Sequence, residues 1–226
     1  SLVGSEMCIR DSRVSPLAAF GVIVAGLSTA TFGSVGPIFA IAVGLDLSQI
    51  ALFLVVSVIG GMISQVPAGI LADRLSRRSV LLVYSIMASA LCLAMMLPIM
   101  DLRVMGIPLV YVMSFLFGLT TYPIYSICAA HASDFVESDR MISLSASLIF
   151  LYASGAIISP LVAGWIIDRF GAPMMFSLIS AAHLSLMLYT VYRNFSRPAE
   201  ARRRYAYIPR TCLLYTSDAA DDSGCV

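Results

Sequence analysis

Six long runs of apolar residues, each closed by a short polar interval, organise most of this chain. They lie near Leu17–Gly44, Ile50–Ala72, Val80–Met100, Ile107–Ala132, Ile142–Ile167 and Pro173–Tyr192, and no acidic or basic residue except His interrupts them. Crossing a hydrocarbon layer about 30 Å thick takes roughly 20 mainly apolar residues in a helix. Each run therefore predicts one membrane-crossing helix, and none shows the alternation of a barrel strand. The intervals Asp46 to Gln49, Asp73 to Ser79, Asp101 to Gly106, Ser133 to Met141 and Asp168 to Ala172 are short enough to force sequential antiparallel crossings. The expected fold is all-α, a polytopic transmembrane bundle of six spans.

Composition strengthens this picture. Hydrophobic residues make up 59% of the chain and charged residues 12%, against about 25% charged in a soluble domain. Membrane lipid is thus the expected outer solvent and partner. The net charge of +1 comes with no basic stripe interleaved with exposed aromatics, which excludes nucleic acid as a partner.

Arginine placement sets the expected orientation, because basic residues gather on the cytoplasmic side. One side collects Arg13, Arg74, Arg77, Arg78, Arg140, Arg193 and the arginines that follow it, and the other keeps Arg103 and Arg169. An even number of spans then puts both native ends in the cytoplasm. The expected location is the bacterial inner membrane.

The two tails read differently. Met7 to Asp11 and Cys212 to Thr216 are what the two strands of one short, adapter-like DNA segment would encode. Positions 1–12 and 212–226 are therefore expected to be non-native. Residues 13–195 are expected to hold the six spans, and 196–211 a basic cytoplasmic tail. Three of the five cysteines fall in these tails, leaving Cys92 and Cys128 inside apolar runs as small packing residues.

Small residues suggest how the helices meet. Gly21, Ala25, Thr29 and Gly33 recur every four positions in the first span, and Gly155, Ser159 and Ala163 do so in the fifth. Such faces allow close helix approach. Pro37, Pro67, Pro98, Pro123 and Pro160 predict bends in five spans, since proline removes a helical donor.

At the end of the second span stands Gly69-Ile-Leu-Ala-Asp73-Arg74-Leu-Ser-Arg77-Arg78. Gly69 would admit a neighbouring helix, and Asp73 places a carboxylate where Arg77, Arg78 or a helix N-terminus could neutralise it. A charge cluster at a helix junction can latch one conformation and break in another. The plainer alternative is a positive anchor with a stray acid. The pattern recurs as Gly164-Trp-Ile-Ile-Asp168-Arg169 at the end of the fifth span. Second and fifth are equivalent if the six spans are two inverted three-helix repeats.

GILADRLSRR resembles the loop motif of the major facilitator superfamily, commonly Gly-x-x-x-Asp-Arg-x-Gly-Arg-Arg/Lys, with Ser76 here where the family usually has Gly. With GGMISQVPAGILADRLSRR, LTTYPIYSICAAH and SASLIFLYASGAIISPLVAGWIIDRFG, the chain is similar to the C-terminal half of the YcaD-like branch of bacterial facilitators. The likeness runs from about Pro16 to Asn194. It implies spans seven to twelve of a twelve-helix secondary transporter, whose missing N-terminal half is a partner and whose small-molecule substrate binds near mid-membrane. A non-transporting sensor or interaction protein on the same scaffold is the alternative.

By that resemblance the first and fourth spans line the cavity. They carry Ser28, Thr29, Thr31, Ser34, Thr120, Thr121, Tyr122, Tyr125 and Ser126, of which Ser28, Thr31, Thr121, Tyr122 and Tyr125 are taken as candidates with Gln65 from the second span. Hydroxyls that merely bond their own helix are the competing reading. For proton coupling the candidates are His131, Asp134 and His183, the first two rivalled by a solvated helix end and the third by its place on an expectedly peripheral span. No constellation of a catalytic nucleophile with its base, no phosphate loop and no metal-ligand spacing occurs, so no enzyme activity, cofactor or metal is expected.

Overall fold

A computed structural model describes residues 15–98, 102–104, 106–136 and 140–196. The predicted tails at 1–12 and 212–226, and the basic segment from 197 onward, lie outside these residues. The helices are α1 (Pro16–Ala42), α2 (Leu47–Arg74), α3 (Arg77–Met95), α4 (Leu109–Thr121), α5 (Pro123–Ser133), α6 (Met141–Phe170) and α7 (Met175–Ser196). A 3-10 turn, Ala172–Met174, leads into α7. With α4 and α5 forming one broken span, six helical segments among the described residues are long and apolar enough to cross a membrane.

The ends of the helices follow their caps rather than their hydropathy. Asp46 accepts from the Gln49 backbone and Gln49 answers to the Asp46 backbone, a capping box that starts α2 three residues before its apolar run. Ser76 caps α3 by accepting from the Ser79 amide. Its φ of −70° is open to any residue, so the turn does not need the family's glycine. Unlike the sequence expectation, α3 stops at Met95, and Pro98 lies beyond the helix rather than inside it. The following link contains a two-stranded hairpin, Arg103–Val104 with Ile107–Pro108, turned at Gly106 with φ +84°.

Pro123 breaks the fourth span. Lacking an N–H, it leaves the Leu119 carbonyl without its helical donor. The Ser64 hydroxyl of α2 donates to that carbonyl at 2.6 Å, converting a local defect into a cross-helix bond. Pro37, Pro67 and Pro160 remain within their helices.

The most extensive packing pairs the first span with the fifth, the second with the fourth, and the third with the sixth. Exchanging the two triplets turns the first pair into the second and leaves the third unchanged, which is the symmetry of two three-helix repeats. The glycines obey it too. A Cβ on Gly26 would meet the carbonyl of Tyr152, and one on Gly155 that of Ile23; likewise Gly60 faces the Phe115 carbonyl and Gly118 that of Ser57. At both crossings each glycine rests on the backbone about one turn before its partner. The pairs Gly60 and Gly155, Gly69 and Gly164, and Asp73 and Asp168 share one separation along the chain.

The expected small face of the first span is only partly used. Gly21 lies against the Cys128 side chain, whereas Gly33, Gly69 and Gly164 have open space where a side chain would go. The close approach expected at Gly69 occurs instead at Gly60 and Gly61, more than two turns earlier. Polar hydroxyls are turned inward, among them Ser28, Ser64, Ser114 and Ser180, while Val58, Ile70, Ile157 and Leu161 face outward. A lipid solvent favours that arrangement, since each interhelical hydrogen bond adds only about 0.6 kcal/mol and tight packing supplies most of the cohesion.

Gly118→Ala and Gly26→Ala should each lower thermal stability by about 1–3 kcal/mol, because a backbone carbonyl must move. Gly164→Ala, which meets nothing, should unfold within about 0.5 kcal/mol of the unaltered chain. Thermal unfolding in detergent, followed by size-exclusion recovery, measures the contrast; equal losses at all three positions would refute the packing assignment.

Candidate functional site

The two glycine crossings bring α1, α2, α5 and α6 around a cavity of about 580 Å³. Tyr122, at the break between α4 and α5, and Tyr125, one turn on, project into it because Pro123 bends the span there. Gln65 comes from α2, Ala25 and Thr29 from α1, and Ile149 and Tyr152 from α6. Tyr125 and Tyr152 meet edge to face, their centroids 5.5 Å apart.

Hydrogen bonds hold the polar wall in place. Thr29 Oγ1 and the Tyr152 hydroxyl are paired across α1 and α6. Ser57 Oγ and the Tyr122 hydroxyl lie 3.2 Å apart, joining α2 to the fourth span. Ser126 donates to Gln65 Oε1 at 2.9 Å, so the amide in the second span has its interhelical partner and still borders the cavity.

Three sequence candidates, Gln65, Tyr122 and Tyr125, thus share one wall. The other three do not line it. Ser28 Oγ donates to the Val24 carbonyl and meets His183 Nε2 at 3.0 Å. Thr31 returns its proton to the Leu27 carbonyl, the backbone bonding expected of a helical hydroxyl. Thr121 is buried, and its Oγ1 has no hydrogen-bond partner. Tyr152 and Ile149 fall outside the sequence expectation, which places the lining on the first and fourth spans with Gln65. Tyr152 stands one turn before Gly155, the crossing glycine, and that proximity is the signal that could have found it.

His183 is fully buried on α7 against α1, not on a peripheral face. Ser28 Oγ and Nε2 of His183 form one hydrogen bond whose direction follows the imidazole tautomer, and Nδ1 has no hydrogen-bond partner. His131 is also buried, edge-on to Phe135, with Arg77, Arg78 and Arg193 as electrostatic neighbours. That placement replaces the solvated end weighed for it. Asp134 is occupied by an arginine.

The arginine is Arg77, which joins two elements. It lies 3.7 Å from Asp73 and 3.3 Å from Asp134, bridging the end of α2 to the end of α5. Asp73 has 74% of its side chain exposed, so that i,i+4 pair contributes no more than about 0.5 kcal/mol. Arg77 is only 17% exposed and Asp134 31%, which makes theirs the stronger and less screened contact. Arg74 extends from the last turn of α2, and Arg78 begins the next helix beside Arg77. At the opposite end, Asp168 and Arg169 are exposed and make no ion pair among the described residues. The second motif repeats the first in position and not in contacts.

Comparison with known proteins agrees with this architecture. The family described as Major Facilitator Superfamily matches residues 18–209. An uncharacterised MFS-type transporter of Enterobacter sp. is 23% identical over 186 residues, covering 82% of this chain and 46% of the relative. The uncharacterised MFS-type transporter YfkF of Bacillus subtilis is 27% identical, covering 73% and 40%. YcaD of Escherichia fergusonii, also named an uncharacterised MFS-type transporter, is 22% identical, covering 87% and 49%. The chain spans about half the length of the curated relatives it matches, and the likeness to the YcaD-like branch holds. A match of that extent, over helices paired as two repeats, leaves one conclusion: this chain belongs to the Major Facilitator Superfamily, a family of transporters, and is an integral membrane protein.

Proposed function

We propose that the chain is the C-terminal six-helix half of a secondary active transporter that moves a small solute by alternating access. Its place is the bacterial inner membrane, with both native ends cytoplasmic. The cavity bordered by Gln65, Tyr122, Tyr125 and Tyr152 carries this reading. It lies between the two tightest helix pairs, has the size of a small-molecule site, and puts polar groups where lipid would otherwise forbid them. The relatives' roughly doubled length supports a second half that completes the cavity.

Arg77 supplies a latch suited to such motion. It ties the junction of α2 and α3 to the end of α5, the same span that breaks at Tyr122 beside the cavity. Displacement of that span would separate Arg77 from Asp134, so the pair favours one conformation over the other. The arginines Arg74 and Arg78 add the positive charge that holds this end at the cytoplasmic face.

Ligand-dependent flux by the complete protein in sealed vesicles tests the reading, and failure at every imposed ion or solute gradient overturns it. In that protein, Asp134→Asn should slow transport about tenfold and Asp73→Asn, whose pair with Arg77 is exposed, about twofold, while the amount in the membrane is unchanged. Unaltered flux in both would remove the latch. The present chain reconstituted alone should show no gradient-driven flux; robust uptake would indicate that two copies combine into a twelve-helix unit.

A further inference from the structure

The cavity wall has a direction to its hydrogen bonding that the proposed transporter role does not specify. Thr29 Oγ1 donates to the Ala25 carbonyl at 2.8 Å. A hydroxyl has one proton, so the arrangement that keeps both bonds has the Tyr152 phenol donating and the threonine accepting. Ser57 is in the same position: with its proton on the Leu54 carbonyl at 2.7 Å, Tyr122 donates to Ser57. Both phenol protons are consumed by the helices behind them. That leaves the Tyr122 and Tyr152 oxygens as acceptors, in a cavity that the three tyrosines Tyr122, Tyr125 and Tyr152 line.

Among the described residues, none that lines the cavity is acidic or basic. An anion would meet two phenol oxygens with no proton to give and aromatic rings whose faces are negative, and among the described lining residues it would have the Gln65 amide and the Tyr125 hydroxyl as donors. It would lose its hydration with no cation to replace it. A solute without donors would leave the two phenol oxygens unsatisfied. An ammonium group satisfies them and is attracted to the ring faces as well. Ala25 and Ile149 add apolar surface, and about 580 Å³ leaves room for a ring system beside the charge. The Gln65 amide, its oxygen held by Ser126, keeps its N–H groups for a single acceptor on the solute.

We propose that this wall selects a protonated amine carried on an apolar, preferably aromatic, body and rejects anions. The proposal rests on the transporter reading and names the substrate class of the same cavity.

A matched series separates the alternatives: naphthylmethylamine, naphthylmethanol and naphthoate, titrated against the whole 226-residue chain in phosphatidylcholine nanodiscs and followed by naphthyl anisotropy. The amine should bind saturably and about tenfold more tightly than the alcohol, with the acid weakest. Tyr152→Phe and Tyr122→Phe keep the ring and remove the acceptor, so each should weaken the amine about tenfold, roughly the value of one hydrogen bond to a charge, and change the alcohol only about two- to threefold. Circular dichroism checks that these variants fold. If they do not, the matched series on the unaltered chain still decides. Equal binding of alcohol and amine, tightest binding of the acid, or no saturable amine binding overturns the proposal. Flux by the complete transporter is scored separately. Rejection of the amine with transport intact removes the substrate class alone, and amine binding without flux at any gradient removes the transporter reading alone.

Discussion

Backbone carbonyls resting on glycines hold the architecture together. Lipid tails are as apolar as leucine, so burying one helix against another gains little hydrophobic energy in a bilayer. Cohesion must come from close contact, and closest contact requires the absence of a side chain. Gly26 with Gly155, and Gly60 with Gly118, meet that need at two crossings related by the repeat. Everything else about the bundle's interior, including where space is left over, depends on how near those four positions let the helices come.

The cavity is the counterpart of these crossings. Helices that touch at glycines diverge beyond them, and larger residues about a turn away occupy the widening space. Tyr152 stands one turn before Gly155, and Tyr122 one turn after Gly118, packed over Gly61. The break at Pro123 lets the fourth span present Tyr122 and Tyr125 in this gap, while Ser64 satisfies the carbonyl that the proline freed. A break, a hydrogen bond and a cavity wall thus share one local cause.

Charge is treated in the opposite way. It is excluded from the interior wall and concentrated at one end, where Arg77 reaches both Asp73 and Asp134. The other copy of the motif, at Asp168 and Arg169, keeps its position and lacks the pairing. Repetition of the sequence pattern therefore preserves the backbone symmetry, whereas among the described residues the ion pairs are found at one end only. The difference lies in Asp134, at the end of the fourth span and outside both copies of the motif.

Several levels of this protein were legible in the chain alone. The number of spans follows from run length, because bilayer thickness sets how many apolar residues a helix needs, and that is a local property. Repeat symmetry was readable from Gly69, Asp73, Gly164 and Asp168, since inverted repeats keep equivalent positions in register. Caps at Asp46 and Ser76 moved helix ends by a few residues through backbone bonds that hydropathy does not register. The inner face of each helix was not legible. A soluble helix marks its core side with an apolar stripe, but a helix with lipid outside and packing inside is apolar on both sides. Tertiary structure alone decided that Gly26 rather than Gly33 makes the crossing, that Tyr152 joins Gln65 and Tyr122 at the cavity, and that Arg77 finds Asp134. Each depends on a rotation of one helix against another, and contacts between distant segments fix that rotation.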